Sequence, residues 1–280
     1  MKLKKQILDQ ISPELVERIN EIYHDLEATL YQNIHKYMDG LKKGFWERAA
    51  QEYFVKDEPT VSFDFGTGTG FVPLAVAGSL KAEDTFICGD ISSEMLKECE
   101  RNVKAKPFFC KFSFVKIEGI QIPLPDSSVD VMTVNSVLHH ILDLKGFSKE
   151  CVRVLKPNGL FITSHEPNAH KLLGKPKNFF FKLAEISPIM EKLMRVISGR
   201  VSTKYRLRNK MLSDIIKQLK AEGLIDFNLR GTEIQQIVDF HTQHGFTKEA
   251  ITVDNFPQFE LVEYETYNND ASIRFVLSRR

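Results

Sequence analysis

The stretch Val61-Ser62-Phe63-Asp64-Phe65-Gly66-Thr67-Gly68-Thr69-Gly70 decides the fold. Five residues, mostly apolar and carrying one carboxylate, read as a short buried strand, and three alternating glycines then break it. Glycine tolerates positive φ and, having no Cβ, lets backbone N–H groups come close to a ligand. Phe71 to Leu80 follows as a helix, with Pro73 tolerable in its first turn. A dinucleotide loop places its third glycine one position later, where this chain has Phe71, so a nicotinamide or flavin nucleotide is disfavoured.

Working outward, strand and helix alternate. Thr85–Gly89, Phe112–Val115, Val129–Val134 and Leu160–Thr163 read as strands, with helices from the Ser92 cap through Val103 and over 146–155. Such alternation implies a parallel sheet covered on both faces, whose ligands bind at the carboxyl ends of the strands. Three successive strand ends carry an acid: Asp64, Asp90 and Glu118. Asp90 is placed to accept from both hydroxyls of a ribose, Glu118 from an adenine amino group, and Ile91 offers an apolar face to a purine. Unpaired carboxylates there gain nothing from packing, so the set points to a nucleoside ligand.

With these residues in view the chain resembles the class I S-adenosylmethionine-dependent methyltransferases, in particular those acting on small molecules and lipid-like quinones. The resemblance rests on Asp64 to Gly70, Gly89-Asp90-Ile91-Ser92, Ile122 to Asp130, Val137-Leu138-His139-His140-Ile141 and Arg153 to Gly159, in that order. It implies an α/β, Rossmann-like, seven-stranded, mostly parallel sheet with an antiparallel last strand. It also implies S-adenosyl-L-methionine as cofactor and S-adenosyl-L-homocysteine as product. Asp64, Gly66, Thr67, Gly68 and Gly70 would then flank the methionine moiety, Asp90, Ile91 and Met95 the ribose and base, Glu118 and Gly119 the adenine. Asn135 and Ser136 would meet the amino end. Relatives often carry Asp at the Glu118 position, preceded by Gly where this chain has Ile117.

Methyl transfer needs alignment above all. A hydroxyl or protonated amine acceptor also needs a general base, a task suited to histidine. His139 and His140 follow the fourth strand, His165 and Glu166 the fifth. The expectation is that His165, oriented by Glu166, is the base, and that one of His139 and His140 forms a wall of the cofactor pocket. No Asn/Asp-Pro-Pro-Tyr/Phe motif follows the fourth strand and no Pro-Cys pair is present, which argues against nucleobase methylation. A catechol-type carboxylate cluster is missing too, so metal-independent transfer is expected.

The expected divisions are an N-terminal helical cap (1–58), the cofactor-binding α/β core (59–166), a helical lid insertion (167–230) and a C-terminal helix with strands completing the sheet (231–280). The cap shows an apolar stripe, Leu15, Ile19, Ile22, Leu26, Leu30, Ile34 and Met38, behind a Ser12-Pro13 start, with Gly40 and Gly44 breaking it. Late strands are expected near Ala250–Val253 and Ile273–Leu277, after a helix opened by the Thr232–Gln235 capping box.

The whole chain carries a formal net charge of +1, yet residues 167–210 hold eleven basic and two acidic side chains. That block, with Phe179-Phe180-Phe181 and the 189–197 stripe, suits a lid over a hydrophobic small-molecule acceptor, ordinary core packing, or a peripheral face for anionic membrane. It also leaves open an RNA acceptor held by phosphate contacts, disfavoured by a pI near 7.7; DNA is not expected as a partner. Four scattered cysteines and the missing signal-peptide pattern point to the cytoplasm.

Overall fold

Residues 12–28, 39–169, 203–225, 246–267 and 272–280 are described by the computed structural model. Their sheet is built around β1 (Val61–Phe65), whose Phe63 and Phe65 point to one face and Ser62 and Asp64 to the other. β2 (Thr85–Asp90) and β3 (Lys111–Lys116) pair outward from it in parallel, and β4 (Val129–Asn135) and β5 (Leu155–Pro167) pair in parallel on the other side. The order is β3-β2-β1-β4-β5-β7-β6, with β7 (Ser272–Arg279) antiparallel to both β5 and β6 (Phe259–Tyr267). The seven-stranded sheet with an antiparallel last strand is the one expected.

Alternation along the strands sorts two cores. Phe63, Phe65, Met132, Val134, Phe161 and Phe275 pack under α5 (Leu144–Val154) and the segment 250–259. Phe86, Cys88, Val131, Ile162 and Val276 pack on the opposite face. There they meet α2 (Asp39–Ala49), α3 (Phe71–Val76) and α4 (Ser93–Lys104). Each fully buried large side chain contributes about 1.5–3 kcal/mol. A third cluster joins α1 (Pro13–Glu27) to α6 (Thr203–Ala221) through Leu15, Ile19, Ile22, Ile215 and Leu219.

The local signals hold at two helix starts: the Ser12 and Ser92 hydroxyls accept from the Leu15 and Met95 N–H groups at 3.2 and 3.0 Å. Elsewhere tertiary contacts override them. α2 runs through both Gly40 and Gly44, held by Phe45, Trp46 and Ala49 in the core. The β-branched run Ala250–Val253 is not a strand but part of a helical turn, Ala250–Asn255, anchored by buried Ile251. The strand instead is β6, an edge strand whose Glu260, Glu263 and Glu265 disguise it as a solvated loop. Leu30, Ile34, Met38, Phe179–Phe181, the 189–197 stripe and the Thr232–Gln235 box lie outside the described residues.

Between β3 and β4 the chain is held by Arg153. Its Nη1 donates to Leu124 O and Asp126 Oδ1, both at 2.8 Å, and its Nη2 donates to Ile122 O at 2.7 Å. Arg153→Ala strands both carbonyls and is expected to lower unfolding stability by about 2 kcal/mol, measured as a lower urea midpoint at unchanged slope.

Candidate functional site

A cavity of about 270 Å³ opens where β1, β2, β3 and β4 end. Its floor is the glycine loop. Gly66 N and Thr67 N both donate to Gly89 O, at 2.8 and 2.9 Å, stapling the loop to β2. Gly66 has φ +71°, and a Cβ there would stand 2.5 Å from Val137 Cγ2. Gly68 has φ +55° and would place a Cβ in open space, so its bare backbone faces the cavity. Asp90 lines the same wall. Its Oδ2 accepts from Gly68 N at 2.7 Å and its Oδ1 from Ser92 N at 2.9 Å. Each carboxylate oxygen keeps a lone pair for a further donor. Burial raises its pKa, against the pull of the Ser92 hydrogen bond and nearby His24.

The roof is α1, which lays Val16, Glu17, Asn20 and His24 over the cavity. Three ties hold it down. Asp25 Oδ1 accepts from Ser92 Oγ at 2.6 Å, Lys116 Nζ lies 2.6 Å from Glu21 Oε1, and Arg18 pairs at 2.5 Å with Glu222, in the turn just after α6. Burial and neighbouring Glu14 push the Glu17 carboxyl above its usual range. Burial pulls His24 down, but Glu27, Asp90 and Asp25 outweigh it and leave the imidazole more basic than usual.

The third wall follows β4. Trp46 Nε1 donates to Asn135 Oδ1 at 3.2 Å, fixing the amide from α2. Ser136 and His165 both have left-handed backbones, φ 63° and 66°, at the ends of β4 and β5, a conformation that non-glycine residues adopt at a cost. Glu166, fully buried, accepts from Val137 N and Leu138 N at 2.8 and 3.0 Å, and its Oε2 lies 2.9 Å from His139 Nδ1. The His139 ring lies 4.1 Å from that of His140, which lines the cavity and meets His24 edge-on at 5.6 Å.

Residues 63–163 match the family model of the methyltransferase domain. These residues carry a methyltransferase domain, and the chain is an enzyme of the S-adenosylmethionine-dependent methyltransferase kind. The methyltransferase is 25% identical over 178 residues to demethylmenaquinone methyltransferase of Geobacillus stearothermophilus, covering 64% of this chain and 75% of the relative. It is 28% identical over 186 residues to the ubiquinone/menaquinone biosynthesis C-methyltransferase UbiE of Geotalea uraniireducens, covering 66% and 75%. Among solved structures it shares its fold with a chain of the Haloferax volcanii complex between a methyltransferase and its activator. That match has a TM-score of 0.54 at 13% identity, over 91% of this chain and 97% of the other.

Gly66, Gly68, Asp90, Ile91, Met95, Gly119, Asn135, Ser136 and His140 are brought together around the cavity. Asp64 and Thr67 are buried behind it, and Gly70 turns the chain into α3 with φ +93°. Glu118 is exposed and outside the lining; Ile117, Gly119 and Ile120 occupy that stretch of wall. The pairing of His165 with Glu166 is corrected. The β5–β7 register slips between Thr163 and Glu166, and the two side chains part: His165 Nδ1 lies 2.8 Å from Tyr267 Oη, whereas Glu166 faces the 137–139 turn. Neither lines the cavity. Sequence reasoning missed Glu17, Asn20 and His24. Their signal is a polar row at helical spacing beside the apolar stripe of α1.

Asp64 accepts from Thr133 Oγ1 at 2.6 Å through Oδ1, while its buried Oδ2 has no hydrogen-bond partner among the described residues. Burial, reinforced by Asp90, pushes its pKa up to about 7. The folded protein therefore keeps a proton that the unfolded chain releases near pH 4. Stability from this group is full below that value and lost as pH rises through about 7. Asp64→Asn is expected to flatten the fall in thermal midpoint between pH 4 and 8 in ligand-free protein; an unchanged slope would contradict the assignment.

Proposed function

We propose that the methyltransferase transfers a methyl group in line to a hydrophobic, ring-containing small molecule of the quinol kind, with its cofactor held between the strand ends and α1. The observation that carries this reading is the bare Gly68 backbone beside buried Asp90, whose carboxylate is set by two backbone donors and still faces the cavity. A Cβ at Gly68 would intrude on that space, as a nucleoside cradle requires. The similarity to a demethylmenaquinone methyltransferase and a ubiquinone/menaquinone biosynthesis C-methyltransferase supports the acceptor class.

When bound, S-adenosylmethionine supplies a methyl group on a sulfonium that is already a strong electrophile. The protein's work is then positioning and proton removal. Asp90 would hold the ribose hydroxyls, Ile91 and Ile117 would sandwich the base, and Asn135, with its Oδ1 engaged by Trp46, would offer N–H donors to the amino-acid end. Deprotonating a phenolic hydroxyl makes the adjacent ring carbon nucleophilic. We assign that role to His140 rather than His165, because it lines the cavity and is backed by His139 and Glu166.

Titration calorimetry is expected to register S-adenosylhomocysteine binding to the wild-type protein. Asp90→Asn should weaken it roughly tenfold or more with the fold retained. No binding by the wild type would end this reading. In a methyl-transfer assay on a demethylated quinol, His140→Ala should cut kcat by about 100-fold and flatten the acidic limb of the pH–rate profile, while His165→Ala leaves both in place. The reverse pattern would return the base to His165.

A further inference from the structure

We infer that Asn20, on the roof helix α1, reads the purine edge of the cofactor. The inference rests on the adenosyl-cofactor reading above and adds a specificity residue from an element outside all the glycine-loop and strand-end motifs. Asn20 is only 7% exposed and lines the cavity, and its Oδ1 has no hydrogen-bond partner among the described residues. A buried amide oxygen is costly to leave without a donor, so one facing a cavity marks where a ligand's N–H belongs.

Position selects the ligand group. Glu17, three residues earlier, reaches Gly119 just past β3, where a Cβ on that glycine would collide with Glu17 Oε1. His24, four residues later, feels the charge of Asp90 at the end of β2. Residues at these spacings share one helix face. Asn20 therefore lies over the interval between Gly119 and Asp90, the place of the base once Asp90 takes the ribose. Ile91, Ile117 and Ile120 give that interval apolar walls. The adenine edge sets an amino donor beside a ring-nitrogen acceptor, and a carboxamide presents the complementary C=O beside N–H, the pairing by which asparagine recognises adenine in nucleic acids. Glu118, the acid expected to take this amino group, is exposed and outside the lining.

The test compares binding of S-adenosylhomocysteine and S-inosylhomocysteine, in which a 6-oxo group replaces the 6-amino donor, to the full chain by calorimetry. Wild type should prefer the adenosyl ligand by about tenfold. Asn20→Leu should lose that preference to within about twofold, chiefly by weaker adenosyl binding, and Asn20→Asp, which keeps an acceptor oxygen, should retain it. Circular dichroism checks each fold; should the leucine variant unfold, the wild-type and aspartate preferences still decide. Adenosyl binding by the wild type without preference overturns the inference alone. So does a preference kept by Asn20→Leu, or one abolished by Glu17→Gln. Failure of wild type to bind either ligand overturns the cofactor reading itself.

Discussion

One carboxylate ties the site together. Asp90 ends β2, receives the N–H of Gly68 from the loop after β1, and receives the N–H of Ser92 at the cap of α4. Three elements thus converge on a buried charge. The cost of burying it is met by fixed backbone donors, which cannot swing away as side chains do. Ser92 extends the arrangement outward, since its hydroxyl both caps α4 and donates to Asp25 of α1. The floor, the flank and the roof of the cavity share this hub.

The part of the site legible in sequence was the part made by local backbone. Alternating glycines after a strand have few uses, and Asp90 follows its own strand at once, so periodicity and chemistry agreed. What escaped was set by contacts between distant segments. α1 was visible as an apolar stripe, but the row Glu17, Asn20 and His24 gains meaning only when the helix is laid across β2 and β3. Glu166 read as a neighbour for His165, yet a slip in pairing with β7 sends it 27 to 29 residues back along the chain to organise the turn after β4. β6 was hidden by its edge position, where glutamates take the place of the alternation a central strand would show.

The roof differs in character from the sheet beneath it. Its apolar seal is the modest α1–α6 cluster, and its ties to the core are largely polar: Asp25 to Ser92 and Glu21 to Lys116. Ion pairs at a partly exposed surface are individually weak, typically 0–1 kcal/mol. An element held in this way can lift with less disruption than any strand, which suits the proposed exchange of one adenosyl compound for another in the cavity beneath it.

β7 follows β6 along the chain but lies between it and β5. Until β7 is made, β5 presents a bare flank to solvent and β6 has nothing to zip onto. During synthesis the nascent molecule would therefore pass through a five-stranded form with one sticky margin, the state most at risk of misassociation with other chains. Loss of β7 would therefore also leave β6 without its neighbour in the sheet.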